Sequence, residues 1–288
     1  MIFGRKIEII GHTRSLLGEG PVWDQIHERL LWLDIKGRRL RSYIPRSGIT
    51  RFWALPFRVG SISPSVVPWT APNSAAEAAY LCCGDEGFGW LFLDGDEVEF
   101  HRIVHPEVEC AGNRFNDGKL GPDGRYWAGT MDDAELEASG ALYAFASDGS
   151  WQRLDDGYRV TNGPAFSVDG RTVYHSDSAL QTIYAFDLGA TGTLTNKRVF
   201  ALFGEGDGYP DGMTIDRSGN LWVAFWDGWR IEKLAADGRR IGHIEMPVPL
   251  CTSCCFAGDD ETALYVTSAN IGLPSDDAIS GALFRVIL

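Results

Sequence analysis

Long hydrophobic runs are missing from this 288-residue chain. No apolar stretch approaches the roughly 18 residues that cross a bilayer as a helix, so no such anchor is expected. Long helical periodicity is almost absent as well. Positive charge is scarce: 26 Lys and Arg stand against 39 Asp and Glu, a net charge of −13. Polyphosphates and anionic lipids both need dense cations. Neither nucleic acid nor a membrane is therefore an expected partner, while a neutral small molecule is unaffected. Cysteines number six, at positions 82, 83, 110, 251, 254 and 255. Two adjacent pairs read as small buried side chains rather than a disulfide ladder. Cys251 and Cys254 form a C-x-x-C, but no second pair of ligands stands at the spacing of a structural zinc. The N-terminal MIFGRKIEII lacks the layout of a signal peptide, and a soluble cytoplasmic protein is expected.

What the chain does contain is repetition. Short β-rich runs alternate with Gly, Asp and Asn turns, the pattern of an all-β fold. An Asp/Gly turn followed by an aromatic-rich strand recurs as HERLLWLDI (27–35), DGRYWAGTM (123–131), DGRTVYHSD (169–177), SGNLWVAFW (218–226) and ETALYVTSA (261–269), with a weaker copy at AAYLCCGDE (78–86). Aligned on Trp32, Leu81, Trp127, Tyr174, Trp222 and Tyr265, the spacings are 49, 46, 47, 48 and 43. Six units of about 48 residues fill the chain, and a unit of that length with four short strands is a propeller blade. The first unit reads as strands at 21–24, 29–34, 39–44 and 50–55. The last unit is one strand short, and KIEIIG (6–11) is positioned to supply it, which would close the ring and remove exposed sheet edges. A single six-bladed β-propeller domain over 1–288 is expected. Its loosest part is 61–78, with three prolines and a Ser/Ala-rich run.

The polar residues follow the repeat. NRFNDGK (113–119) packs an arginine, two amides, an acid and a lysine into the mouth of the strand RYWAGTM. Counting back from the aromatic markers, Glu19 lies 13 residues before Trp32, Asn116 11 before Trp127, Asn162 12 before Tyr174 and Asp211 11 before Trp222. Arg114 lies 13 before Trp127, and Ser253 lies 12 before Tyr265. In a radial repeat, one register means one level of the central channel. Glu19, Asn116, Asn162 and Asp211 should then converge on one mouth. Two carboxylates and two amide oxygens suit a hard divalent cation, and two close buried acids would repel without one. The bland reading is that Asp-Gly and Asn-Gly are turn formers. Glycine follows both acids, where backbone must approach closely or take unusual dihedrals.

The loops after the marker strands share that face. Asp132, Asp133, Trp226 and Asp227 are second-tier candidates there, with Asp133 able to accept hydrogen bonds from substrate hydroxyls. Asp34 and Asp177 read as turn acids bonded to nearby amides. His175 reads as a packed strand residue, and Lys119 as a solvated or salt-bridged side chain.

LGEGPVW (17–23), NRFNDGK, GRYWAGTM (124–131), TNGPAF (161–166), YPDGM (209–213) and TSCCF (252–256) together resemble the SMP-30/gluconolactonase/regucalcin family. The stretch TNGPAFSVDGRTVYHSDSALQTIYAFDL (161–188) is similar to bacterial sugar-acid lactonases of the xylonolactonase or arabinonolactonase kind. The resemblance covers most of the chain in order. It implies a six-bladed propeller with one divalent cation (Ca, Zn, Mg, Mn or Fe(II)) in the channel mouth. The ligands it implies are Glu19, Asn162 and Asp211. Asn116 is a ligand in some members and a substrate contact in others, and Arg114 is a substrate contact. Asp133 stands where close relatives carry Glu, and its side chain reaches less far. Residues 61–80 match poorly and are expected to hold a substrate lid.

The implied reaction is hydrolysis of an aldonolactone, a small sugar lactone, to the sugar acid. A divalent ion polarises the carbonyl and stabilises the oxyanion. Asp211 is the expected general base, although a ligating carboxylate is a weak one and hydroxide formed at the ion is the alternative. Two rival functions remain. One is another metallo-hydrolase acting on phosphotriesters or aryl esters, and the other is a non-enzymatic calcium-binding propeller.

Overall fold

The structure is a computed structural model, and it describes residues 5–64, 69–71, 76–258, 261–274 and 277–288. The described residues form six four-stranded antiparallel sheets. Blade 1 runs through Gly18–Asp24, Arg29–Asp34, Arg39–Ile44 and Ile49–Ala54. Blade 2 is Val59–Pro64, Ala78–Gly84, Gly87–Asp94 and Glu97–Val104. Blade 3 is Asn113–Leu120, Tyr126–Asp132, Gly140–Phe145 and Trp151–Tyr158. Blade 4 is Thr161–Phe166, Thr172–Asp177, Thr182–Leu188 and Leu194–Leu202. Blade 5 is Tyr209–Ile215, Leu221–Trp226, Arg230–Leu234 and Arg240–Glu245. Blade 6 takes Cys251–Phe256, Ala263–Ser268 and Leu283–Ile287 from the C-terminus and its fourth strand, Ile7–Ile10, from the N-terminus. Ile7 pairs with Val286 and Ile10 with Leu283, so the ring closes as expected.

The six markers all lie in second strands, and all are nearly or fully buried. Their burial follows from how blades pack. Six apolar clusters occupy the six junctions between neighbouring blades. Each blade is a sheet with neighbours on both faces, so its second strand is covered on both sides and reads as a continuous apolar run. Outer strands carry exposed apolar residues such as Phe52, Val199 and Leu202, and others such as Ile26 and Leu136 lie in the turns and loops between strands.

The innermost strand of every blade carries one extra residue against its neighbour. In blade 1 the pairing jumps from Glu19–Leu33 to Val22–Leu31. In blade 3 it jumps from Phe115–Thr130 to Gly118–Ala128, in blade 4 from Asn162–Ser176 to Ala165–Tyr174, and in blade 5 from Pro210–Phe225 to Met213–Val223. Blades 2 and 6 skip Gly60 and Thr252. A β-bulge breaks strand alternation and re-aims side chains. The polar residues therefore lie inside the innermost strands rather than in the loops leading to them. NRFNDGK is itself the strand Asn113–Leu120.

The expected lid at 61–80 is not where the site is. Residues 61–64 finish one strand and 78–80 begin the next, so the described ends of this stretch stand at the end of the blade away from the mouth. Trp69 is buried there, donating Nε1 to the Gly124 carbonyl at 2.9 Å and packing edge-on against Phe88. Gly124 belongs to the matching link of blade 3, and antiparallel pairing puts both links opposite the mouth. Residues 65–68 and 72–75 of that stretch lie outside the described residues. Among the described residues no helix is long and apolar enough to cross a membrane.

The six cysteines are free; the two adjacent pairs are buried as expected and Cys251 is buried with them, and burial pushes all five thiols up. Cys110, which belongs to neither pair, is exposed. Cys251 and Cys254 are occupied by weak bonds to the Val248 and Trp222 carbonyls.

Candidate functional site

Glu19, Asn116, Asn162 and Asp211 occupy two adjacent positions of the bulge rather than one register. Glu19 and Asn162 are the last paired residues before it, each followed by Gly-Pro. Asn116 and Asp211 are the first residues within it. All four are buried. Two backbone devices make room for them. Gly20 has φ +53, a left-handed conformation that glycine adopts without strain. At Gly212 a Cβ would lie 2.5 Å from the Ser253 Cβ, so only glycine lets blades 5 and 6 approach this closely.

Hydrogen bonds join the blades around these residues. Asn162 Nδ2 donates to Ser178 Oγ at 2.9 Å, and that hydroxyl donates to the Pro210 carbonyl at 2.6 Å, next to Asp211. Asn116 Nδ2 donates to the Thr161 carbonyl at 2.8 Å and to Asn162 Oδ1 at 3.2 Å. Arg114 Nη1 donates to Asn116 Oδ1 at 2.7 Å.

Among the described residues Glu19 and Asp211 each accept a hydrogen bond only from the N–H of the following glycine, at 3.0 Å. Neither has an ion-pair partner among the described residues. Burial raises the pKa of both, and each is raised further by neighbouring carboxylates: Asp117 acts on Glu19, and Glu19 and Asp117 act on Asp211. Arg114 offsets Glu19 only in part, and two buried acids without an ion-pair partner among the described residues suit a site that takes a cation.

Asp117 is the site residue that sequence reasoning missed. It sits inside the bulge beside Asn116, fully buried, with Oδ2 accepting from Gly163 N–H at 2.9 Å across blades 3 and 4. Burial pushes it up to about 6, with the Lys119 charge and the Gly163 and Gly118 N–H groups pulling the other way. In a regular strand Asn116 and Asp117 would face opposite sides, and the bulge removes that alternation. Lys119 is half-buried rather than free in solvent and makes no salt bridge among the described residues, although its charge acts on Asp117. Its Nζ crosses from blade 3 to donate to the Met213 carbonyl of blade 5 at 2.8 Å.

Asp133 lies at the rim with its oxygens already engaged. Arg58 Nη1 donates to both at 2.9 and 2.8 Å, Arg114 Nε donates at 2.8 Å and Lys36 Nζ at 3.3 Å. Burial alone would raise this carboxyl, but the bonds and charges of Arg58 and Arg114 hold it well below the usual carboxylate range. Arg58 and Lys36 were not singled out in the sequence. Their signal was position: Arg58 immediately precedes an innermost strand, and Lys36 follows a second strand.

The structural roles hold elsewhere. Asp34 accepts from Leu17 and Gly37 N–H, and Asp177 from Arg159 and Val160 N–H. Of the second-tier site candidates, Asp132 instead caps its own turn through Ala134, Leu136 and Glu137, and Asp227 is an exposed left-handed turn residue. His175 is packed, fully buried against the Tyr158 ring and shifted down to about 3 by burial.

Among the described residues no three His, Cys, Asp or Glu side chains are grouped to hold a metal by themselves. A cation here would draw on Glu19, Asp211 and the Asn162 amide oxygen, and that all-oxygen set, its charge only partly offset by Arg114, fits a hard divalent ion.

Residues 17–270 match the SMP-30/gluconolactonase/LRE-like region. The regucalcin of Gallus gallus is 35% identical over 98% of this chain and 94% of its own length. Pentonolactonase XacC of Haloferax volcanii is 32% identical over 95% of this chain and 91% of its own. Among solved structures, a calcium-binding regucalcin from Agrobacterium tumefaciens superposes with a TM-score of 0.87 at 28% identity, covering 98% of this chain and 92% of that one.

Proposed function

The chain belongs to the SMP-30/gluconolactonase/LRE-like family, and from that premise we propose that it is a metal-dependent lactonase that hydrolyses a pentono- or hexonolactone to the aldonic acid. The observation that carries this reading is the pair of buried carboxylates, Glu19 and Asp211, brought from different blades, raised by burial and by neighbouring carboxylates, and without a salt bridge among the described residues. A pentonolactonase and a calcium-binding regucalcin among the relatives support it.

Glu19, Asn162 and Asp211 would hold the ion, which when bound supplies Lewis-acid polarisation of the lactone carbonyl. The Ser178 contact fixes the Asn162 amide, so its Oδ1, which also accepts from Asn116 Nδ2 at 3.2 Å and keeps a second lone pair, is the atom that would serve the ion. Asp211 Oδ1 is held by Gly212 N–H, which leaves Oδ2 to take a proton from the attacking water. Water forms the new bond to the carbonyl carbon, the ring C–O bond breaks, and the proton on Asp211 returns to the departing oxygen. Arg114 orients the substrate through planar donors that lysine would not reproduce.

A pH-indicator hydrolysis assay over pentono- and hexonolactones, with each divalent metal restored to chelated protein, tests the reading. Turnover should vanish with the metal and return with it. Full activity after verified metal removal would sink the metal role, and turnover confined to phosphotriesters or aryl esters would replace the substrate class. Binding of calcium without turnover of any ester would favour the non-enzymatic propeller.

A further inference from the structure

Asp133 does more than neutralise one arginine: it draws two guanidinium groups and an ammonium to one point of the rim. Arg58 comes from the link into blade 2, Lys36 from the turn of blade 1, and Arg114 from the innermost strand of blade 3. Arg58 is further fixed by Asp85, whose Oδ2 accepts its Nε at 3.0 Å and its backbone N–H at 3.1 Å. Within this hydrogen-bonded cluster three cations face two carboxylates, and because Glu19 draws on Arg114 the excess positive charge rests on Arg58 and Lys36. Arg58 uses Nε and Nη1, and Arg114 uses Nε and Nη1, so both Nη2 groups are without a hydrogen bond among the described residues. Arg58 and Lys36 are about a third exposed, so this charge meets solvent, whereas Glu19, Asp117 and Asp211 are buried.

A sugar hydroxyl needs no net charge for recognition, because any donor or acceptor in the lining serves it. Two spare guanidinium donors with surplus positive charge suit a carboxylate, whose two oxygens accept from both. We infer that Arg58 makes the site selective for lactones carrying a second, anionic group, a carboxylate at the far end of the sugar chain. The inference rests on the lactonase reading above. Asp133 then acts as a positioning residue that holds the two arginines side by side, in place of touching substrate itself.

The test compares two six-carbon lactones that differ only in a terminal CH2OH or carboxylate, with the metal-loaded enzyme. The carboxylate form should have a kcat/KM about tenfold higher or more, the scale of one charged hydrogen bond. Arg58→Gln should collapse that ratio mainly through KM, Arg58→Lys should keep part of it, and added salt should narrow it. Equal or reversed preference, or equal loss on both lactones in Arg58→Gln, overturns the inference and leaves the lactonase reading standing. Titration of the open-chain dicarboxylate and monocarboxylate into both proteins reads binding without turnover. If neither lactone is hydrolysed but the dicarboxylate binds more tightly in an Arg58-dependent way, anion recognition stands and the lactonase reading falls. No Arg58-dependent difference in binding overturns the inference as well.

Discussion

Asn116 Oδ1 accepts a 2.7 Å hydrogen bond from Arg114 Nη1, and that contact decides what the asparagine can do. Its Nδ2 faces the Thr161 carbonyl, so turning the amide over would set oxygen against oxygen. With Oδ1 taken by the arginine, Asn116 serves as a link between Arg114 and Asn162 rather than as a free oxygen donor. Asn116→Ala should raise KM and weaken metal binding together, by about tenfold each, as is usual for residues that orient ligands. Steady-state kinetics and a metal titration check this, and an unchanged metal affinity would contradict the link.

Asp211→Asn preserves shape and removes the charge. We expect turnover to drop by about a hundredfold or more, the scale of a lost general base, with metal retention falling alongside. Metal analysis of the purified variant beside its lactonase rate separates the two losses. A variant that keeps metal and full rate would show that Asp211 is neither ligand nor base.

The metal-free protein should lose stability as pH rises. Glu19 moves from 4.5 up to about 8 on folding and Asp117 from 3.8 up to about 6, because burial disfavours their charged forms. The folded state then binds more protons than the unfolded one, and stability falls between about pH 4 and 8. A bound divalent cation needs the carboxylates ionised, so its stabilising effect should grow over the same range. Thermal melts of chelated and metal-loaded protein across this range measure both slopes. A chelated protein that gains stability toward pH 8 would contradict the burial of these acids.

Gly212→Ala should damage the site through the backbone. Its Cβ would stand 2.5 Å from the Ser253 Cβ and 3.0 Å from the Ser253 Cα, neither of which can swing aside. We expect a loss of about 1–3 kcal/mol, the range for overpacking, and weaker metal binding because Asp211 moves with its neighbour. Gly204→Ala, whose Cβ would meet nothing within 4 Å, is the control and should leave the melt unchanged.

The site was partly legible before the structure. Counting from the aromatic markers worked because Trp32, Trp127, Tyr174 and Trp222 lie in second strands of near-constant spacing. The same count treated four residues as one register, whereas a bulge splits them into two adjacent positions. That bulge also hid Asp117, which strand alternation would have turned away from the mouth. Lys119 looked like a surface charge because nothing local reveals the Met213 carbonyl, 94 residues on in sequence. Arg58 was invisible for a similar reason, since its partner Asp133 belongs to the next blade.

Repeat length, strand number and the missing last strand are local properties of the chain, carried by turn residues and apolar alternation, and the amino-acid sequence alone determined them. Which side chains face one another across the channel depended on ring closure, on one surplus residue per innermost strand and on glycines that let blades approach. Those are relations between backbones far apart in sequence, so only the folded ring could decide that Glu19 and Asp211 share one buried field while Asp133 is held by arginines at the rim.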